Sequence, residues 1–219
     1  ELITNGFDIC DFPSERYQEA DGGPDKDFVI THTGLFAADG NPTVLWKVLA
    51  DKCASDPEFA KLLKIKFVGK TDKQIVESVI SAGLGANLID MGYKPHAEAI
   101  EQQRRASLLI LPLRKEPEYK AVLPGKLFEY LASWRPVLGI GQPDGAMSMI
   151  LNSTKTGVVL DWTDEASISR FIELCWQNHL AGRLTVDDAD ISQFTRENLT
   201  RRMAALFDRV AEHKTHSHP

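Results

Sequence analysis

Lys126 and Glu129 stand three residues apart in the stretch Pro124-Gly125-Lys126-Leu127-Phe128-Glu129. A Pro-Gly pair marks a turn, here one that leads into a helical pattern. The first N–H groups of a helix have no partner inside it, and the dipole is positive there, so such a start is a ready anion site. Lys126 adds a mobile cation. Glu129 lies one turn further in and can face the same ligand from the same side. A carboxylate is a poor phosphate ligand but a good acceptor for ribose hydroxyls, the role acidic residues play in other nucleotide sites. The chemistry this spacing describes is the binding of a nucleoside diphosphate. On spacing alone, an exposed i, i+3 ion pair worth a few tenths of a kcal/mol explains the two residues equally well.

Other loops offer less. Gly34, in Thr31-His-Thr-Gly34, can let backbone approach a phosphate, and it can equally be an ordinary turn residue. In Gly92-Tyr-Lys-Pro-His96, backbone groups can read a base edge and Tyr93 can pack on it, while His96 fits a helix start. The chain has no GxGxxG and no GxxxxGK[ST], so neither a dinucleotide fingerprint nor a P-loop is supported. No Ser/His/Asp set and no metal-ligand cluster stands out. Asp21, Asp25, Asp187, Asp188 and Asp190 read as turn or cap residues, and Arg104-Arg105 and Arg201-Arg202 as solvated helix faces.

The elements that must position these residues alternate. Short apolar, β-branched runs at 28–33, 65–68, 87–91, 108–113, 136–140 and 157–160 read as strands. Longer amphipathic stretches fall between them: one opening near Pro42, then 72–82, 95–106, 125–133 and 144–152. Helices at 167–180 and 191–213 close the chain. The run 108–113 is apolar on both faces and reads as central. Such alternation predicts an α/β fold, a three-layer α/β/α Rossmann-like domain with a mostly parallel sheet of about six strands. In such sheets ligands bind beyond the carboxyl ends of the strands. The loops above are the ones that follow strands.

Composition is compatible. The 219 residues, 43% hydrophobic and 26% charged, suit one soluble domain with appendages. A net charge of -6 argues against a general nucleic-acid binder. Cys10, Cys53 and Cys175 read as free thiols of a reducing compartment. No apolar run reaches the roughly 18 residues of a membrane span. The chain opens at Glu1 without an initiator Met, so a fragment of a longer protein is expected, and its His-rich end reads as a frayed tail.

Several blocks resemble family 4 (group 1) glycosyltransferases of the GT-B fold. Residues 3–8, Ile-Thr-Asn-Gly-Phe-Asp, look like the junction between the two GT-B domains. Thr33-Gly34 resembles the first glycine loop of their C-terminal domain, and residues 67–69 the second strand. Residues 87–96 with Glu98-Ala-Ile resemble the strand and loop that hold the nucleobase. Residues 123–132 with Arg135-Pro-Val-Leu look like the helix that binds diphosphate and ribose, the most specific block. The resemblance covers roughly residues 3–180.

It implies one half of a GT-B enzyme: a lead-in segment at 1–27, a nucleotide-sugar-binding domain at 28–185, and a C-terminal helix and tail at 186–219. The activity implied is metal-independent, retaining transfer of a sugar from a nucleotide-diphosphate sugar, in polysaccharide or glycoconjugate synthesis. That sugar nucleotide is the donor substrate, and no cofactor or metal is implied. Lys126 and Glu129 carry the catalytic roles. The nucleotide-sugar site comprises Gly34, Lys70, Tyr93, Lys94, Pro124, Gly125, Lys126, Leu127 and Glu129. The partner is the missing N-terminal acceptor-binding domain, without which the fragment is inactive. The location implied is cytoplasmic, with any contact to the inner face of the membrane made through the missing half. The final helix of such enzymes returns to that domain, so Ile191, Phe194, Leu199, Met203, Leu206 and Val210 are expected to form an exposed apolar stripe. The pattern departs in two places. Relatives carry two glutamates with seven residues between them; Glu129 matches the second, and Ala121 stands at the first. Relatives also carry Arg and Lys after the first strand, where this loop has neither until Lys47, leaving Lys126 or Lys70 to supply the charge. A sugar-nucleotide epimerase and a degenerate, non-catalytic GT-B half are the alternatives.

Overall fold

The computed structural model describes residues 2–12, 26–183, 186 and 190–215. The Asp21, Asp25, Asp187 and Asp188 positions and the last four residues of the tail lie outside them.

Among the described residues, six strands form one sheet: β1 (Phe28–Thr33), β2 (Leu63–Val68), β3 (Leu88–Asp90), β4 (Leu108–Pro112), β5 (Val137–Ile140) and β6 (Gly157–Leu160). Their order is β3-β2-β1-β4-β5-β6, and every pairing is parallel. β1 is buried at every position and β4 at all but its last, which suits strands covered by helices on both faces. The chain winds outward through β2 and β3, then crosses back to lay β4 on the other side of β1. The crevice between the ends of β1 and β4 is therefore the topological switch point, where open α/β sheets bind ligands.

Among the described residues, eight α-helices flank the sheet. They are α1 (Thr43–Ser55), α2 (Pro57–Leu62), α3 (Lys73–Val79), α4 (His96–Arg105), α5 (Gly125–Ala132), α6 (Ala146–Thr154), α7 (Glu165–Leu180) and α8 (Arg196–Thr215). Local chemistry sets several of their ends. Asp56 accepts from Phe59 N–H at 3.0 Å and is followed by Pro57, so α2 starts where α1 stops. Asp72 caps α3 by accepting from Gln74 N–H at 2.9 Å. The core is a single cluster around the sheet, with Trp176 of α7 packed edge-on against Phe28 of β1 and Phe59 of α2 at 5.6 and 5.2 Å.

Four expectations need correction. β3 is shorter than 87–91, because the Asn87 side-chain amide donates to Ala60 O and Leu63 O at 2.9 and 3.0 Å and turns the chain at the sheet edge. The last helix does not run unbroken from 191: a 3-10 turn, Ser192–Phe194, precedes α8, and Asp190 accepts from Ser192 N–H at 3.1 Å as a turn residue. Arg104 is not solvated but 9% exposed, and its carbonyl accepts from Arg135 Nε at 2.6 Å. The apolar stripe is split. Ile191, Phe194 and Leu199 are buried on this domain, Leu206 is half-buried, and Met203 and Val210 are exposed, as is Phe207, which lies outside the expected stripe.

The opening segment explains that split. Phe7 N–H donates to Phe194 O at 3.0 Å, and Arg196 N–H donates to Phe7 O at 2.9 Å. Residues 2–12 are thereby laced to the start of α8. Gly6 is needed there, because a Cβ would stand 2.2 Å from Phe194 O.

Candidate functional site

α5 begins just beyond β4, at the switch point. Pro124 precedes it with extended backbone and no side-chain cap. The N–H groups of Gly125 and Lys126 therefore have no partner within the helix. Leu127 differs from the expectation: its side chain is 0% exposed in the core and its N–H donates to Pro124 O at 3.0 Å. Burial of an apolar side chain and closure of the first turn remove both its groups from any ligand.

One turn in, Glu129 is half-buried and held from behind. Gln103 of α4, 0% exposed, donates from Nε2 to Glu129 Oε2 at 3.0 Å and to Thr33 Oγ1 at 3.1 Å. Its Oε1 lies 3.0 Å from Ser133 Oγ, and the Glu129 carboxylate, which only accepts, fixes which end of the amide is which. Thr33 N–H, at the end of β1, donates to Tyr130 Oη at 2.9 Å. Burial pushes the Tyr130 phenol up to about 12, so it stays protonated. β1, α4 and α5 are thus joined by one buried polar network whose outward-facing member is Glu129. The sequence reading did not assign Gln103, Tyr130 or Ser133. A signal existed: Gln103 lies three residues after the buried Ile100, on the inward face of α4, where an amide needs partners.

Lys126 reaches the other way. Its Nζ donates to Leu35 O at 3.3 Å, and a Cβ on Gly34 would stand 2.2 Å from Lys126 Cε. Gly34, at φ +87, both permits this turn and leaves room for the lysine stem. Gly69 (φ +133) supports it from below, since a Cβ there would meet Gly34 O at 2.3 Å. His32 lies buried beneath, Nδ1 at 3.1 Å from Ile110 O, Nε2 at 3.3 Å from Leu35 O, its ring on Phe36 at 4.2 Å. Burial first, and Lys126 second, pull its pKa down to about 4, so the imidazole is neutral at pH 7. Burial also lowers the Lys126 pKa, and Glu129 opposes that shift.

The start of α5 separates two cavities. Gly125 and Glu129 open on a cleft of about 560 Å³ that also meets Asn5 and, from α8, Arg196 and Met203. Lys126 and Pro124 open on a pocket of about 250 Å³, with His32, Asp39, Arg114 and Tyr119. A single ligand touches both Lys126 and Glu129 only by lying across the helix start, an elongated shape.

The remaining predicted residues sit at the ends of β2 and β3. Lys70 is exposed, and its carbonyl accepts from Phe36 N–H at 2.9 Å. Lys94 pairs with Glu98 at 3.7 Å, and Tyr93 is 84% exposed. Gly34 packs on Lys126, Gly125 and Glu129 share the larger cleft, and Lys70, Tyr93 and Lys94 line neither of these two cavities. His96 Nε2 lies 3.4 Å from Asp11, linking α4 to the opening segment. Among the described residues no group of three His, Cys, Asp or Glu could hold a metal ion, and no helix is long and apolar enough to cross a membrane.

No family model and no curated protein matches the sequence. Solved structures match the fold. The C-terminal domain of a glycosyl transferase group 1 family protein (LpcC) from Francisella tularensis aligns with a TM-score of 0.57 at 15% identity, over 90% of this chain and 98% of that one. Sucrose-phosphate synthase from Thermosynechococcus elongatus aligns at 0.69 and 18% identity, over 97% of this chain and 53% of that one. TarM of S. aureus, solved with fondaparinux, α-GlcNAc-glycerol and UDP, aligns at 0.68 and 15% identity, over 94% of this chain and 39% of that one. This chain thus spans about half or less of the two longer proteins. Likeness at this identity is likeness of fold: the chain adopts the Rossmann-like fold of the C-terminal domain of GT-B, group 1 glycosyltransferases.

Proposed function

We propose that this chain is the donor-binding half of a glycosyltransferase, moving a sugar from a nucleotide-diphosphate sugar to an acceptor in polysaccharide or glycoconjugate synthesis. One observation carries the reading. Glu129, held by the buried Gln103, lies one turn inside an open helix start that Lys126 flanks across Gly34, at the switch point of the sheet. In this reading the ribose hydroxyls donate to Glu129, and the diphosphate accepts from the N–H groups of Gly125 and Lys126. When the bond from the sugar C1 to the diphosphate oxygen breaks, negative charge gathers on that oxygen. Fixed N–H dipoles and the Lys126 ammonium stabilise charge developing there, which is how such a site lowers a barrier. The charge is met by Lys126 and the helix start rather than by a metal ion. Ala121, exposed at the end of the 3-10 turn Pro117–Ala121, offers the donor no carboxylate.

The acceptor and the second wall of the active site belong to the other half of a longer protein, as the greater length of the matched structures suggests. We place that protein in the cytoplasm, with any membrane contact made by the other half, and assign it a retaining outcome from the family resemblance. The UDP bound by TarM supports a nucleotide-sugar partner here. The test separates the two ends of the ligand. Lys126→Ala should lose the affinity that a diphosphate adds to a nucleoside. Glu129→Ala should lose about 1.5–3 kcal/mol of nucleoside affinity, the range for a hydrogen bond to a charged group. Calorimetric curves identical to wild type in both variants would remove the assignment.

A further inference from the structure

We infer that the Asp39–Arg114 pair reads the donor sugar and selects one without net charge; the inference rests on the donor-site reading above. A ligand with its ribose on Glu129 and its phosphates at Gly125 and Lys126 leaves the helix start on the Lys126 side. The group at its far end enters the 250 Å³ pocket. The walls of that pocket are apolar, with Phe36, Leu111 and Val122 among them. Its polar groups converge from the loops after β1 and β4, the two strands flanking the switch point. Arg114 Nε lies 2.8 Å from Asp39 Oδ2, with the two side chains 43% and 39% exposed. The guanidinium is also braced, 5.3 Å over the Tyr119 ring.

A pair this exposed adds little to stability, so holding the fold together is a weak reason for its place on a cavity wall. Asp39 keeps a second carboxylate oxygen to accept with, and Arg114 keeps further N–H groups to donate. Side by side they offer an acceptor and a donor of little net charge, the complement of neighbouring sugar hydroxyls. With Lys126 taken by the diphosphate, a sugar carboxylate would have to displace Asp39 from Arg114, and a free amino group would have to displace Arg114 from Asp39. Neutral hexoses and N-acetylated hexosamines leave the ion pair intact.

The experiment is calorimetric titration of this chain with UDP, GDP and ADP, then with the neutral-hexose, N-acetylhexosamine and uronic acid conjugates of the diphosphate that binds. The expected result is a neutral conjugate about tenfold tighter than the free diphosphate, the gain from one good charge-assisted hydrogen bond. Asp39→Asn and Arg114→Gln should each erase that gain. Their binding of the free diphosphate shows that they fold. A gain that survives both variants, or a uronic acid conjugate that binds tightest, overturns the proposal. Binding of a free diphosphate with no gain from any neutral sugar also overturns it and leaves the donor-site reading standing. No binding of any diphosphate removes that reading and this one with it.

Discussion

Glu129 can select a ligand only if its carboxylate points one way, and a single buried amide arranges that. Gln103 donates to Glu129 and Thr33 and accepts from Ser133, so no atom of its amide is spare. Gln103→Leu keeps the volume but strands these partners. It should cost about 1–3 kcal/mol in urea unfolding, the penalty for orphaned buried polar groups, and weaken nucleotide binding with it. His32 gives a second test at this scale. Its folded pKa of about 4 lies below the usual 6.5, so the unfolded chain binds the extra proton first as pH falls. Its contribution is complete above about pH 6.5 and is lost as pH falls from there toward 4, a total of roughly 3 kcal/mol at most. Unfolding measured across that window should show His32→Gln losing less stability than wild type; equal losses would mean that His32 is not held neutral.

The start of α5 works because two loops make room for it. Gly34 and Gly69 hold left-handed turns, and Gly34 also gives its Cβ space to the lysine stem. Gly34→Ala should cost about 1–2 kcal/mol for the backbone alone. Because the added methyl must displace Lys126, diphosphate affinity should fall as well. A melting curve paired with a titration checks both, and unchanged affinity would separate Lys126 from the site. The elements themselves were legible in the sequence, because apolar runs of strand length alternate with helical periodicity. Pro124-Gly125 marked the helix start, and the three-residue spacing put Lys126 and Glu129 on it. What the spacing did not reveal was that the two residues open on different cavities. Nor did it reveal Gln103, whose partners come from β1 and α5 and meet it only after the sheet has formed. The burial of Leu127 was hidden for a similar reason: position within the turn says nothing of which face the core takes.

At the scale of the whole molecule, the chain around α8 passes from apolar residues buried on this fold, Phe194 and Leu199, to exposed ones, Met203, Phe207 and Val210. Periodicity predicted an apolar stripe along 191–213, and periodicity cannot say what covers a stripe. In the 3-10 turn that leads into α8, Phe194 packs on Phe128 of α5 at 5.5 Å, so Phe194→Ala should cost about 3 kcal/mol or more in chemical unfolding. Phe207 is 64% exposed, and Phe207→Ser should change stability by less than about 0.5 kcal/mol. Comparable losses for both variants would show α8 to be covered along its length.

The central claim is that the start of α5 binds a nucleoside diphosphate through Glu129. Titrating the chain calorimetrically with UDP, GDP and ADP, against wild type and Glu129→Gln, tests it most directly. The expected result is selective binding of one nucleotide, about tenfold weaker or worse in the variant. Binding that ignores the base and survives Glu129→Gln unchanged would contradict it.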